Sequence, residues 1–393
     1  MPDAGCRMPD AGCRMPDGAP WSRTHVARIL TGRTLARRRL RGDSGGMSGA
    51  IRLGRHADVV AAATDPTRFS SRTSTHLHVP NGMDGAEHAA FRAVIDRYLT
   101  PQAVAELEPM LAGVARDAAQ ELERGTPVEI VGEFGEVFAV RAQCRWLGWP
   151  DAVEDELRMW MEENYAAARH PDPERNASVA AAFDDIVRHE LHRAGPGTVT
   201  ARLAAERVGV RPLTEPEIIS ILRNWTAGDL GSLARCVGVV VRRLADRPAL
   251  QQRMRVIGDD RDRRAEFDAI LDECLRIEDP FVTNRRITTC PVTTLGGQDI
   301  PQGTAVLLDW GAANLDPAVF SEDFDPVAHA DDNLVFGIGP HVCPGRDLSL
   351  AELHAAIVEL LRVTTSIELA PEHPPVPHDP PIGGWRSVHV VLR

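Results

Sequence analysis

A lone cysteine, Cys343, lies in a glycine-rich stretch from Phe336 to Gly345 with the sequence Phe-Gly-Ile-Gly-Pro-His-Val-Cys-Pro-Gly. A thiolate in such a stretch could bind a metal, because glycines let the backbone turn tightly and approach a flat cofactor. Residues 348–361 have the pattern of an amphipathic helix, and amides near a helix start can donate to the sulfur and lower its pKa. The alternative is a buried cysteine beside an ordinary strand-to-helix turn.

The pattern F-G-x-G-x-H-x-C-x-G resembles the haem-binding loop of the cytochromes P450, the haem-thiolate monooxygenases. The resemblance implies that Cys343 is the axial ligand of the iron of haem b, to which a thiolate donates electron density. It also implies that Phe336, His341 and Gly345 contact this cofactor. The fold implied is mainly α with small β-sheets, built from a triangular helical domain and a β-rich region.

Composition and charge set limits on the class of protein. The chain has 393 residues, of which 43% are hydrophobic and 25% charged, as in ordinary globular proteins. A net charge of −12 argues against a nucleic-acid-binding protein. No apolar run approaches the length that spans a bilayer, and the N-terminus lacks the apolar core of a signal peptide. We therefore expect a soluble, cytoplasmic protein that binds neither nucleic acid nor a membrane.

The first residues differ from the rest of the chain. The heptapeptide MPDAGCR occurs at residues 1–7 and again at 8–14. A short repeat rich in proline and glycine cannot pack a core, which predicts that residues 1–46 are a disordered extension or an overcalled translation start. Met47 is then an alternative start, and residues 47–393 form the haem domain.

A His–Arg pair lies well before the cysteine loop. Asp84 can cap a helix on which His88 and Arg92, four residues apart, share one face. Taken alone, such a pair is equally consistent with surface residues. The resemblance implies that both reach the haem propionates, for which a guanidinium and an imidazole are good partners. It implies the same contact for Arg286.

A second pair, Glu273 and Arg276, lies on a helix predicted over residues 266–277 from its apolar spacing. At three residues apart, a glutamate and an arginine usually form a surface salt bridge that contributes little. In this family an E-x-x-R pair orders the segment beneath the haem, and the resemblance implies that structural role here.

Thr214-Glu215-Pro216-Glu217 is a capping box with an early proline, and it predicts a helix that continues to about Ala245. The resemblance implies that this is the long central helix that passes over the haem. Gly228 and Gly231 lie in its middle. Each glycine costs about 1 kcal/mol relative to alanine there, which indicates close approach of a ligand or a local kink.

The same helix departs from the family pattern A-G-x-acid-Thr. When it is aligned on Ala227-Gly228, Leu230 stands at the position of the acid and Gly231 at that of the threonine. Asp229 and Ser232 are adjacent and could replace them only if the helix shifted its register. We therefore predict an atypical oxygen-activation region, made of Gly228, Asp229, Leu230, Gly231 and Ser232.

The resemblance also indicates which segments border the substrate. They are the helix that roofs the distal pocket, the central helix, the segment after Pro280 and the C-terminal strand pair. The alternative for each side chain is core packing. The predicted pocket residues are Trp160, Asn164, Asn224, Trp225, Ala227, Gly228, Phe281, Val282, Gly383 and Trp385, and Tyr165 lies on the same roof helix.

Three functions follow from this pattern. The first is a monooxygenase of secondary metabolism that oxidises a small organic substrate with dioxygen and electrons from a ferredoxin or flavodoxin. Arg92, Arg97 and Arg346 could form a docking patch for that partner, or could contact haem or solvent. The second, suggested by Leu230 and Gly231, is a peroxide-dependent or phenol-coupling oxidase. The third is a non-catalytic haem-thiolate binding or sensor protein.

Overall fold

The computed structural model describes residues 50–169, 172–295, 298–379 and 382–393. The predicted extension over residues 1–46 and the alternative start at Met47 lie outside the described residues. The chain from residue 50 onward belongs to one compact unit. Within the described ranges, no helix is both long enough and apolar enough to cross a membrane.

Most of the described chain is helical, as the helix-period patterns predict. A π-helical turn, Val131–Glu136, leads into the fourth α-helix. The α-helices are α1 (His56–Ala63), α2 (Gly85–Ile95), α3 (Pro101–Glu121), α4 (Val137–Leu147), α5 (Glu154–Arg169), α6 (Pro173–Arg193), α7 (Val199–Ala204), α8 (Glu215–Asp246), α9 (Pro248–Ile257), α10 (Arg264–Ile277), α11 (Trp310–Ala313) and α12 (Arg346–Arg362).

The strands are short and form small sheets. They are β1 (Ile51–Leu53), β2 (Phe69–Ser70), β3 (Pro127–Glu129), β4 (Arg207–Val208), β5 (Arg211–Pro212), β6 (Thr283–Thr288), β7 (Val292–Leu295), β8 (Gln298–Ile300), β9 (Ala305–Asp309), β10 (Ile367–Leu369), β11 (Val376–Pro377), β12 (Trp385–Ser387) and β13 (His389–Leu392). The largest sheet has the order β1-β9-β6-β2, in which only β1 and β9 are parallel. A second has the order β10-β13-β3, and β4-β5, β7-β8 and β11-β12 form two-stranded ladders.

Helix α8 is the central helix that the capping box predicts. It has 32 residues, which is about 48 Å at the usual rise per residue. At its start, the Glu217 carboxylate accepts a hydrogen bond of 2.8 Å from the backbone N–H of Thr214. Arg211 donates to both oxygens of the same carboxylate, at 2.8 and 2.6 Å. The helix packs against α4, α6, α10 and α12 and so spans the described fold.

Helix α12, which follows the cysteine loop, is buried more completely than its sequence suggests. The pattern over residues 348–361 predicts an amphipathic helix, with one face in solvent. Instead almost every position between Leu348 and Leu361 is buried, because α3, α8, α9 and α10 all pack against this helix. The difference arises from neighbours that are distant in sequence.

A buried ion pair joins α10 to the chain that leads into the cysteine loop. Arg276 donates to both oxygens of Glu273, at 2.7 and 2.8 Å, and each side chain is only 2% exposed. Arg276 also donates to the carbonyl of Asn314 at 2.5 Å. The ring of His329 places Nδ1 2.9 Å from Glu273 Oε1. A buried charge pair needs such additional partners, and here they fix the segment 314–329.

The cap of α8 should make stability depend on pH. The hydrogen bonds from Arg211 lower the pKa of Glu217 from its usual 4.5 to about 2. Because the folded-state pKa is the lower one, the carboxylate contributes stability above about pH 4.5 and loses it as the pH falls towards about 2. Glu217→Gln should therefore lower the denaturation midpoint at neutral pH and flatten its dependence between these two values.

The matched control is Glu215→Gln, because Glu215 is exposed in the same first turn. Its substitution should leave the pH profile of the midpoint unchanged. An equal change in both variants would contradict the role assigned to Glu217.

Candidate functional site

The cysteine loop, residues 336–345, turns tightly between the preceding segment and α12. Gly337 and Gly339 have φ angles of 72° and 77°, in the left-handed region that favours glycine. A Cβ on Gly339 would also lie 2.9 Å from the carbonyl oxygen of Ala63. The N–H of Cys343 donates to the carbonyl of Phe336 at 2.8 Å and closes the loop. The backbone angles and the close packing therefore explain why the motif has glycine at these positions.

The surroundings of the Cys343 sulfur act on the thiol pKa in opposite directions, and the net effect is a raised pKa. Burial raises the pKa of the Cys343 thiol, whereas the backbone N–H of Gly345, which donates to the sulfur, lowers it. The positive charges of Arg92 and Arg346 act in the same direction as that amide. Such donors are what a metal-binding thiolate uses to remain deprotonated.

Arg92 braces the cysteine loop from helix α2. One of its nitrogens, Nη1, donates to the carbonyls of Pro340 and Val342 at 3.1 and 2.9 Å, and Nε donates to Asp96 at 2.8 Å. His88 shares this helix, as the spacing predicts. The structure thus brings Arg92 to the backbone of the loop itself.

A cluster of buried nitrogens lies beside the loop. His88 is 5% exposed and its Nε2 has no hydrogen-bond partner, and its ring centroid is 4.2 Å from that of His341. His341 Nε2 lies 3.0 Å from Ser71 Oγ and 3.6 Å from Asp84 Oδ1. Burial lowers the pKa of both rings, that of His341 to about 4. Both imidazoles are therefore neutral at physiological pH.

Arg286 adds an unpaired charge to this cluster. It is 6% exposed, and burial lowers the pKa of its guanidinium. Its Nη1 donates to the carbonyl of Arg285 at 2.9 Å, and no ion pair found among the described residues includes it. A buried guanidinium without a carboxylate is costly unless an anion binds there. The cluster thus suits an anionic ligand.

Helix α8 has an open face at Gly228. Gly228 is exposed, and a Cβ on it would meet no atom within 4 Å. Leu230, at the family's acid position, is 0% exposed and packs in the main apolar core. A Cβ on Gly231 would lie 2.6 Å from the hydroxyl oxygen of Tyr165. Ser232 Oγ accepts from Arg235 Nη2 at 3.2 Å.

Two buried carboxyls lie between α8 and α12. Asp229 Oδ2 and Glu352 Oε2 are both buried without a hydrogen-bond partner. Burial raises the pKa of both groups, and the charge of Asp229 raises that of Glu352 further. Asp229 also raises the pKa of Cys343, which places it near the loop. We infer that this pair holds at least one proton at neutral pH.

These features together fit a flat prosthetic group that carries an iron and two carboxylates. Cys343 supplies a single thiolate, and Gly228 leaves space on helix α8. Arg286 and the unpartnered Nε2 of His88 are suited to carboxylates. The donor set of this chain therefore matches haem, the group that the sequence resemblance implies.

The predicted pocket residues on helices occupy different surroundings. Trp160 stacks on Phe183, with centroids 4.1 Å apart, and its Nε1 donates to the carbonyl of Val179 at 2.9 Å. Asn164 is exposed on the same helix, α5. Trp160 thus packs between α5 and α6.

On α8 itself, Trp225 packs in the apolar core, with its ring centroid 5.2 Å from that of Tyr98 and 5.1 Å from that of Trp146. Asn224 donates to the carbonyl of Val79 at 2.6 Å. Ala227 is partly buried beside Gly228. Asn224 precedes Gly228 by four residues and therefore lies on the same side of α8.

The predicted pocket residues outside the helices meet at one place. Phe281 and Val282 are partly buried, and a Cβ on Gly383 would clash with Val282 and with the backbone of Asp279. Trp385 Nε1 donates to Glu278 at 2.6 Å, and the Arg242 guanidinium lies 4.7 Å from its ring. The structure therefore brings the 281–282 segment and the C-terminal strands together beside α8.

The three arginines of the predicted docking patch are each paired with an acid. Arg92 bonds Asp96 at 2.8 Å, Arg97 bonds Glu206 at 2.7 Å and Arg346 bonds Asp272 at 2.5 Å. Cys343 and Arg346 line a cleft of about 390 Å³ on this side. The surface beside the loop therefore carries balanced charge.

Sequence reasoning did not assign roles to Tyr165 or Glu352. The approach of Tyr165 to Gly231 joins residues on α5 and α8, and local periodicity carries no signal for it. The one available sign is the glycine itself, because a missing side chain on a helix leaves room for another group. Glu352 could have been noticed as a glutamate within an otherwise apolar helical run.

Comparisons with known proteins agree with this site. The family profile described as Cytochrome P450 matches residues 245–383. Cyclomarin C epoxidase CymV of Salinispora arenicola is 25% identical over 87% of this chain and 90% of its own length. Cytochrome P450 109 of Bacillus spizizenii is 26% identical over 80% and 79%, respectively.

Solved structures have the same fold. A mutant of P450 EryK in complex with erythromycin B gives a TM-score of 0.77 at 24% identity, covering 87% of this chain and 90% of that chain. Ligand-free P450 TbtJ1 gives 0.76 at 25% identity, covering 87% and 91%. The predicted mainly α architecture with small sheets is confirmed. The cysteine loop, the family profile over residues 245–383 and these relatives therefore agree that the chain is similar to the cytochromes P450.

Proposed function

We propose that residues 47–393 form a haem-b monooxygenase domain that inserts one oxygen atom into a small organic molecule of secondary metabolism. The observation that carries this proposal is the cysteine loop, whose carbonyls on either side of His341 accept from Arg92 and beside which His88 Nε2 is buried without a partner. The relative named as cyclomarin C epoxidase supports this substrate class.

The residues of this chain would hold the cofactor by its iron and by its carboxylates. Cys343 would ligate the iron, and Arg286 and His88 would bind the carboxylates. Arg92 would act through the loop, because its guanidinium fixes the carbonyls on either side of His341. The haem, when bound, supplies the redox chemistry that activates dioxygen.

The remaining residues position the substrate and control protons. The segment containing Phe281 and Val282, together with Gly383, would border the substrate beside α8. Asp229 and Glu352 together keep a proton between α8 and α12, because burial raises the pKa of both carboxyls. Leu230, a hydrocarbon side chain buried in the apolar core, has no proton to donate.

We propose that electrons come from a ferredoxin or flavodoxin-type protein that docks beside Cys343. The cleft of about 390 Å³ lined by Cys343 and Arg346 supports this position. Arg97 and Arg346 are about half exposed even though each is paired. They therefore remain accessible to an acidic partner.

A peroxide-dependent oxidation is the second candidate. It is favoured by one observation, the absence of an acid and an alcohol at Leu230 and Gly231. An enzyme that takes its oxygen from peroxide does not need to deliver protons to dioxygen.

Turnover separates the two candidates. A panel of small molecules would first be screened for the low-spin to high-spin change in the haem spectrum. Molecules that give this change would then be incubated with a surrogate ferredoxin system and dioxygen, or with peroxide alone. We expect product from the ferredoxin system, and none from Cys343→Ser under the same conditions. Product from peroxide alone would favour the second candidate, and no product by either route would contradict both.

Arg286 should be needed to retain haem. Arg286→Gln removes the buried guanidinium, so the purified protein should contain less haem and should release it to an apomyoglobin acceptor at least several-fold faster. Arg285→Gln is the matched control, because Arg285 is the exposed neighbour on the same strand. Equal haem loss in both variants would contradict the role of Arg286.

A further inference from the structure

Helix α8 has Gly231 at the position where the family pattern has a threonine, and Tyr165 fills the space of the missing side chain. A Cβ on Gly231 would lie 2.6 Å from Tyr165 Oη and 3.4 Å from Tyr165 Cζ. Both distances are at or below the limit of ordinary van der Waals contact. The phenol end of Tyr165, from α5, therefore occupies the position into which a side chain on Gly231 would project.

The space at Gly231 belongs to the open face of α8. Gly228 is three residues earlier and so lies on the same side of the helix. A Cβ on Gly228 would meet no atom within 4 Å. The two glycines thus differ in surroundings although they are one helical turn apart: one borders open space, and the other borders a hydroxyl group.

Arg235 lies beside this hydroxyl. Its Nη1 is 3.2 Å from the same Cβ position on Gly231, and its Nη2 donates to Ser232 Oγ at 3.2 Å. Because a guanidinium can only donate, it cannot accept the phenol proton. Burial raises the pKa of Tyr165 to about 12, so the group keeps that proton at neutral pH.

We propose that Tyr165 provides the distal hydroxyl of this enzyme, beside Arg235 and in the space left by the absence of a side chain at Gly231. The hydroxyl donates a hydrogen bond to the molecule bound over the open face of α8, in the manner of a preorganised donor. It is not consumed, and the protons of the reaction come from water. This inference rests on the proposed function, since it assigns the ligand side of the same haem site.

The contact can be tested on protein stability alone. Alanine in place of a mid-helix glycine normally stabilises the helix, so Gly228→Ala should raise the denaturation midpoint. Gly231→Ala should raise it less or lower it, because the new methyl group meets Tyr165. When Tyr165→Phe is added, the difference between the two glycine substitutions should shrink, as for residues in contact. An equal rise for both glycines in the unmodified background would overturn the contact.

The hydrogen bond can be tested with carbon monoxide as the probe ligand of the ferrous protein. Tyr165→Phe should shift the carbon–oxygen stretching band to higher frequency, because a donor to the ligand oxygen is lost. It should also raise the share of reductant that ends as peroxide by several-fold. Tyr98→Phe is the matched control, since Tyr98 is the other of the 2 tyrosines and donates to Glu206 at 3.1 Å.

An unchanged band in Tyr165→Phe, or an equal shift in Tyr98→Phe, would overturn the proposal. Failure of the proposed function gives a different result. In that case the unmodified protein would show no thiolate-type carbon monoxide spectrum, while the stability comparison of the two glycines would still decide whether Tyr165 fills the space at Gly231.

Discussion

The Glu273–Arg276 ion pair constrains the part of the fold that leads into the cysteine loop. Both side chains are 2% exposed, and a charge pair so deeply buried is favourable only when its remaining hydrogen-bonding capacity is used. The additional partners of the ion pair are the carbonyl of Asn314 and the ring of His329, which lie in an irregular segment before the loop. The segment that leads into the cysteine loop is fixed as a result.

The cysteine loop depends on this ion pair and is also held by contacts of its own residues. Gly337 and Gly339 adopt backbone angles that other residues rarely use, and Arg92 bonds two loop carbonyls from α2. These contacts hold the sulfur of Cys343 at a defined position even though burial opposes its ionisation. The rigid loop backbone is what distinguishes this site from an ordinary buried cysteine.

Sequence reasoning reached the features that depend on local pattern or on short motifs. The capping box at Thr214 predicts α8, and the pattern around Cys343 predicts the loop. Features that depend on contacts between residues far apart in sequence could not be predicted. Helix α12 is buried on most sides because four helices meet on it, and Trp225 faces the core formed with Tyr98 and Trp146.

The middle of α8 likewise has features that the local sequence predicts and features that only tertiary contacts determine. The alignment on Ala227-Gly228 identified the missing acid and alcohol, which is a statement about types of residue. It could not show that Leu230 turns into the core or that the Tyr165 hydroxyl reaches Gly231 from α5. Both depend on how α5 and α8 pack, and that information lies in tertiary contacts.

The most direct measurement of the central claim is the absorption spectrum of the unmodified, haem-loaded protein in its ferrous carbon monoxide complex. If the Cys343 thiolate ligates the iron, the Soret band will lie well to the red of its position in haem proteins with an axial histidine. A band at the histidine-type position would contradict the account.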